Sequence, residues 1–327
     1  MELTTFLQAL ITGILMAGIY ALVGIGLTLI FGVVRIVNFA HGEFVMLGMY
    51  LTFWLWKLWG IDPYLSLLIT MPVLFCFGVL IQRFLLQPIL RAPDLAQIFM
   101  TVGLGVILMN VTLFLFTADF RSVKLPYSEW VWHLGGVAVP VTRLFAFVGA
   151  LLLAGLLTLF LTKTDIGKAL RAVAQDREVS MLLGINPQRM YLLAVGLGAA
   201  LAGAAGGLIV PFFYVFPTVG AVFGLIAFVV VILGTLGSIE GALLASLIVG
   251  VAESLGILFA GADLGLVVVF GILVVALVFK PSGLMGMPRA ESHEPRATSR
   301  EQRAASREQR AASREPRAES REPRGRG

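Results

Sequence analysis

Cysteine is almost absent. The one present, Cys76, lies inside an apolar run, so neither a disulfide framework nor a thiolate metal site can be built from it. Histidine is nearly as scarce: His41, His133 and His293 stand on separate segments, which leaves no metal cluster to expect. Charge is scarce too, at 13% of the 327 residues against 58% hydrophobic, and mean hydropathy is +0.94. A chain with so little polar surface cannot coat a soluble globule, and its hydrophobicity excludes disorder for all but the last stretch. Two soluble-enzyme signals fail. Gly167-Lys168 is followed by Ala169 and has no glycine five residues earlier, so it is not a phosphate-binding loop. His41-Gly42-Glu43 matches the H-x-E fragment of zinc deaminases, but the P-C-x-x-C they also need is missing. With no convergent acid, base and nucleophile, the chain reads as a non-enzyme.

What is present in abundance is uncharged length. A span of about 20 apolar residues crosses a hydrocarbon core about 30 Å thick. No charge occurs between Glu2 and Arg35, from Pro63 to Gln82, from Leu95 to Ala118, from Leu144 to Thr162, or from Met190 to Ile239, a run long enough for two spans. Gly241 to Ala260, broken only by Glu253, Leu264 to Phe279, and Phe39 to Trp56 supply three more. The expectation is an all-α, polytopic helical bundle of about nine passes, roughly eight to ten. The first run is too long, and its start too poor in basic residues, for a cleaved leader.

From Arg289 onward there are eleven Arg and seven Glu, so most of the net charge of +5 belongs to residues 289–327 and the membrane body 1–288 is nearly neutral. That tail repeats every seven residues (ESHEPRA, TSREQRA, ASREQRA, ASREPRA, ESREPRG). Alanine is its only apolar residue and Pro295, Pro316 and Pro323 interrupt it, so it is expected to be a disordered extension rather than a coiled coil. Binding to anionic lipid or RNA is the minor alternative for the tail; membrane lipid is the expected partner of the protein, and no nucleic acid is expected. Lys and Arg gather on the cytoplasmic side of membrane spans. The loop about 163–189 holds five and the loop from Asp119 to Arg143 holds three, which makes the former cytoplasmic. Four spans then separate it from the tail, placing the C-terminus on the same side and the N-terminus outside.

Three groups of residues could carry function. The segment Arg35 to Glu43 is polar between strongly apolar flanks and rich in nearby glycine, as expected for a broken helix in a substrate path. Arg35 reads as a cytoplasmic-side charge, whereas Asn38, His41 and Glu43 read as pathway or gating groups; a simple turn is the alternative. Glu253, alone in an apolar helix, is either a second pathway group or a hydrogen-bonded structural residue. The basic loop predicts one amphipathic helix, capped by Asp165 and stopped by Gly184 and Pro187, with Ile166, Leu170 and Val173 on one face. Such a helix suits docking into a groove on a partner, or lying on lipid headgroups.

Four stretches, VNFAHGEFVMLGMY (37–50), GKALRAVAQDREVSMLLGIN (167–186), LGTLGSIEGALLASLIVGVAESLG (233–256) and PSGLMG (281–286), resemble the permease subunits of bacterial ABC importers for branched-chain amino acids, of the high-affinity permease protein H type. The resemblance covers about residues 3–288. It implies an inner-membrane ABC permease moving leucine, isoleucine or valine. It also implies a second homologous permease subunit, a periplasmic substrate-binding protein and two ABC ATPase subunits that bind the ATP and Mg this chain cannot. Gly167, Ala169, Arg171, Ala172, Asp176, Leu183, Gly184 and Ile185 would then be recurring positions of the ATPase-coupling loop. Urea, short amides or other amino acids are alternative cargoes, and an ATP-independent transporter or channel is the alternative class. One departure stands out: Glu240 occupies the place of an expected proline in the Gly-Ser-x-x-Gly-Ala turn.

Overall fold

The computed structural model describes residues 3–261, 264–280 and 282–286, so the heptad tail lies outside the described residues. The body is helical: α1 (Leu3–Val34), α2 (His41–Trp59), α3 (Pro63–Ile81), a π-helical turn Gln82–Leu86, α4 (Gln87–Ile89), α5 (Asp94–Phe116), α6 (Val141–Lys163), α7 (Asp165–Gln175), α8 (Arg177–Leu182), α9 (Pro187–Ile209), α10 (Val219–Gly234), α11 (Ile239–Ala260) and α12 (Gly265–Phe279). The nine longer helices fall where nine apolar segments were expected. Six spans among the described residues are long and apolar enough to cross a membrane, and α10 and α12 are shorter apolar helices. Two additions were not foreseen. The loop after α5 contains a hairpin, β1 (Val131–Leu134) with β2 (Val137–Pro140), turned by Gly135 and Gly136 at positive φ. The π-turn precedes Pro88, whose missing N–H disturbs the regular ladder at that point.

Burial sorts the helices into layers. The most apolar windows of α1 and α9 are 83% buried, whereas those of α3, α5 and α6 are only 22–28% buried. A helix that is apolar all round belongs in a core, and α1 and α9 form it, with α2, α10 and α11 packed around them. The outer helices show the reverse of a soluble surface: Leu68, Phe99, Phe114 and Phe279 are exposed. An apolar outer shell of this kind is stable against lipid or another apolar subunit, not against water. Between core helices the sequence uses small residues. A Cβ on Gly48 would stand 2.4 Å from the carbonyl oxygen of Gly203, so α2 and α9 cross at backbone contact.

The two ends of the bundle are pinned differently. At the hairpin end the Gln8 side chain exchanges hydrogen bonds with the backbone of Ala138, both 2.8 Å, which puts the start of α1 beside the hairpin. Asp62 caps α3 through Tyr64 N (2.9 Å) and accepts the Tyr127 hydroxyl, and burial with that carboxylate pushes the Tyr127 phenol well above the ordinary tyrosine range. At the other end, Thr235 Oγ1 donates to the Ser282 carbonyl at 3.0 Å, tying the chain beyond α12 to the α10–α11 turn. The Arg35 guanidinium reaches the Ala174 carbonyl of α7 at 3.5 Å. The basic loop and the chain leaving α12 therefore share one end, and the N-terminus and hairpin share the other, as counting spans requires.

Candidate functional site

The polar segment after α1 is neither exposed nor a simple turn. Arg35 takes φ 62°, reversing the chain, and residues 35–38 run without helix before a turn at 39–40 starts α2. His41 Nε2 lies 3.1 Å from the carbonyl of Val23, eleven residues back along α1. Eleven helical residues rise about 16 Å, and a short extended return covers a similar distance. So α2 begins alongside the middle of α1, and its N-terminus points inward from a buried level. Ile36, Asn38, Ala40 and His41 are all buried, whereas Phe39 is exposed and packs at a tilt against Phe228 of α10 with ring centroids 4.7 Å apart. Thr101 of α5 donates to the Val37 carbonyl at 3.2 Å and fixes the strand-like return.

In this knee the side chains of Asn38 and His41 each have one assignable bond and one free group, and that of Glu43 has no assignable bond among the described residues. Asn38 Oδ1 accepts from Ala40 N at 3.1 Å, and its Nδ2 has no partner among the described residues. The Val23 carbonyl can only accept, so His41 Nε2 carries the proton and Nδ1 is left as a buried, unpartnered acceptor. Glu43 makes no side-chain hydrogen bond or ion pair and its Oε2 is buried. That carboxylate lines a cavity of about 320 Å³ together with Phe39, Val106, Gly220, Gly224 and Phe228. A Cβ on Gly220 would stand 2.4 Å from Glu43 Oε2, so a side chain there would push the carboxylate out of this position. Because α2 and α10 both begin here, two helix N-termini lend it positive potential, which offsets part of the cost that burial imposes on a carboxylate.

Glu253 lies elsewhere. Its Oε2 accepts the Tyr20 hydroxyl at 2.5 Å across the α1–α11 contact, and no bond joins it to Glu43 or His41. Tyr20 is one turn from Val23, so Glu253 and His41 meet α1 at nearly the same depth through different neighbours. Sequence reading missed Gln82, which is fully buried in the π-turn with neither side-chain atom partnered, and Thr28, whose Oγ1 is likewise unpartnered. A lone amide or hydroxyl in an apolar run was the available signal.

The basic loop corrects three expectations. It folds as two helices, α7 and α8, broken at Asp176, whose carboxylate caps the second through Glu178 N (2.8 Å) and Val179 N (3.0 Å). Thr164, not Asp165, caps α7, accepting from Gly167 N at 3.0 Å; Asp165 instead pairs with Lys168 at 2.9 Å, the one ion pair among the described residues. Ile166 is exposed, and the face packed on the bundle is Gly167, Leu170 and Val173. Gly167 wins that position because a Cβ there would stand 2.3 Å from the Phe160 carbonyl oxygen, so α7 lies against the end of α6 at backbone distance. Gly184 does turn the chain at φ 79°, with Pro187 opening α9. Of the other coupling positions, Arg171, Asp176 and Leu183 are exposed, while Ala169, Ala172 and Ile185 are partly covered. Leu182 and Leu183 are 87% and 73% exposed, an apolar knob on the most hydrophilic part of the body. Glu240 sits exposed in the first turn of α11, which Ser238 caps by accepting from Gly241 N at 3.0 Å, so the turn closes without the expected proline.

The family model for the permease component of branched-chain amino acid transport systems matches residues 9–277. The chain is 32% identical to the high-affinity branched-chain amino acid transport system permease protein BraD of Pseudomonas aeruginosa, over 89% of this chain and 99% of that protein. It is 32% identical to the permease protein LivH of Escherichia coli K12, over 88% of this chain and 97% of that one. It is 27% identical to the companion-named permease protein LivM of Salmonella typhimurium, over 84% of this chain and 70% of that one. No solved structure matches.

Proposed function

The chain belongs to the branched-chain amino acid transport permease family, and from that premise we propose that it is the membrane-spanning subunit of an ATP-driven importer of leucine, isoleucine and valine. In this reading the basic-loop end faces the cytoplasm of a bacterial inner membrane. A second homologous permease completes the path, a binding protein delivers the amino acid at the hairpin end, and two ATPase subunits carrying ATP and Mg drive the cycle. The observation that carries the coupling half of the proposal is the form of α7 and α8: one face is anchored on the spans through Gly167, Leu170 and Val173, and Leu182 and Leu183 project outward from the other end. Exposed leucines at the end of a short helix pair fit an apolar groove on a partner protein better than solvent.

The motion has a short route to the path. Ala174 on α7 holds Arg35, Arg35 begins the return segment, and that segment ends at His41 and Glu43 beside the cavity. Displacing α7 therefore pulls on the knee. A zwitterion passing the knee would place its ammonium at the Glu43 carboxylate, while the apolar wall of Val106 and Phe228 accepts an aliphatic side chain. Binding at full strength would trap the solute, so one unpaired carboxylate, rather than a closed set of partners, suits passage.

Cells lacking the gene, with and without its restoration, test the reading through ATP-dependent uptake of labelled leucine competed by isoleucine, valine, urea and acetamide. Restored uptake blocked by isoleucine and valine supports it. Unrestored leucine uptake with loss of urea or acetamide transport would move the cargo to those solutes.

A further inference from the structure

A second cavity, of about 370 Å³, opens at the basic-loop end between the end of α1, the end of α6, α7 and the start of α11. Its floor is apolar and buried, formed by Leu29, Val33, Leu161 and Leu170. Its rim carries one positive and one negative group, Arg171 on α7 and Glu240 on α11. Both side chains are exposed, and neither makes a hydrogen bond or ion pair among the described residues, so the two charges are not spent on each other. Thr28, almost fully buried in the wall, keeps its hydroxyl without a partner. A buried apolar floor under a rim of opposite unpaired charges complements a small zwitterion with an aliphatic side chain: the carboxylate meets the guanidinium and the ammonium meets the carboxylate.

We infer that this cavity is a product site, which binds the imported aliphatic amino acid from the cytoplasmic side and thereby slows further import. The inference rests on the transport reading above and on its orientation. An occupant bridging Arg171 and Glu240 ties α7 to α11 and resists the displacement of α7 that pulls on the knee through Arg35. Accumulated product then opposes its own uptake without competing at the Glu43 cavity, which lies between α2, α5 and α10. Glu240 supplies the ammonium partner.

The test uses the complete transporter in proteoliposomes with ATP in the lumen and labelled leucine outside. Initial uptake is measured with empty lumen and with luminal unlabelled leucine, leucinamide or 4-methylpentanoate; the last two each lack one of the zwitterion's charges. Luminal leucine should cut the initial rate several-fold while the two analogues leave it within about twofold. Glu240→Gln should keep the empty-lumen rate and raise the half-inhibitory luminal leucine about tenfold, the loss expected from one charge-assisted hydrogen bond. Normal empty-lumen uptake with no response to luminal leucine overturns the product site alone. Equal inhibition by leucine and both analogues, or unchanged inhibition in Glu240→Gln, does the same. No leucine uptake with an empty lumen overturns the transport reading and the site with it. The analogue comparison uses the unaltered protein and does not depend on how the variant folds.

Discussion

At the scale of single residues, Glu43 is the most exacting group in the molecule. A carboxylate placed in an apolar cavity without a hydrogen bond persists only if it is neutralised, or compensated by helix N-termini and a passing cation. Glu43→Gln keeps the shape and removes the charge. If the ammonium of the solute uses that charge, initial uptake per molecule of membrane-embedded protein should fall about tenfold or more. Wild-type uptake in Glu43→Gln would reduce the knee to a structural turn. Gly220→Ala should lower uptake as well, because the new Cβ displaces the Glu43 carboxylate from its seat; uptake normalised to protein abundance checks it. The importance of Asn38, His41 and Glu43 was legible in the sequence from polarity at membrane depth. Their burial at the start of a helix was not, because depth depends on the reversal at Arg35, a non-glycine at positive φ that no composition rule anticipates. Glu253 shows the converse. A lone carboxylate in an apolar helix looked the same in sequence, yet it is held by Tyr20 across two helices and is not part of the knee.

At the scale of elements, the α7–α8 pair links an anchored face to an exposed one. Leu182→Asp with Leu183→Asp leaves the packed face alone, so the protein should reach the membrane at normal level while co-purification with the proposed ATPase subunit falls at least about tenfold. Retained co-purification would place the partner contact elsewhere. Arg171→Glu should abolish uptake at normal abundance, and normal uptake would remove the coupling role from α7. The amphipathic pattern located this region correctly, but periodicity counted Ile166 into the packed face. The backbone-close seat of Gly167 on α6 rotates the helix so that Ile166 faces out. Packing of backbone against backbone leaves no trace in a hydrophobicity pattern; the glycines around the polar segment, Gly48 among them, signalled a close backbone approach, but not that Gly203 would be its partner. Gly48→Ala should lower thermal stability in detergent by several degrees, about 1–3 kcal/mol of overpacking; an unchanged melting temperature would show that α2 and α9 can separate freely.

At the scale of the whole molecule, the nine apolar segments and their helices coincide because length and hydropathy are imposed by a bilayer-like environment, the strongest constraint a sequence can record. The hairpin was overlooked although its signal was present: two short, largely apolar runs, Val131–Leu134 and Val137–Pro140, flank Gly135-Gly136, the pair that a two-residue turn favours. The Arg/Glu tail lies outside the described residues and beyond the span 9–277 matched by the family model, and a chain ended after Pro288 should keep uptake within about twofold. Loss of assembly in that truncation would give the tail a structural role.

The central claim is that this chain carries amino acids through a knee moved by ATPase partners at α7 and α8. It is tested most directly by reconstituting the full transporter and following labelled leucine with and without luminal ATP. Accumulation above the external concentration only when ATP is present, lost in Arg171→Glu, is the predicted result. Equilibration of leucine without ATP, unchanged in Arg171→Glu, would contradict it.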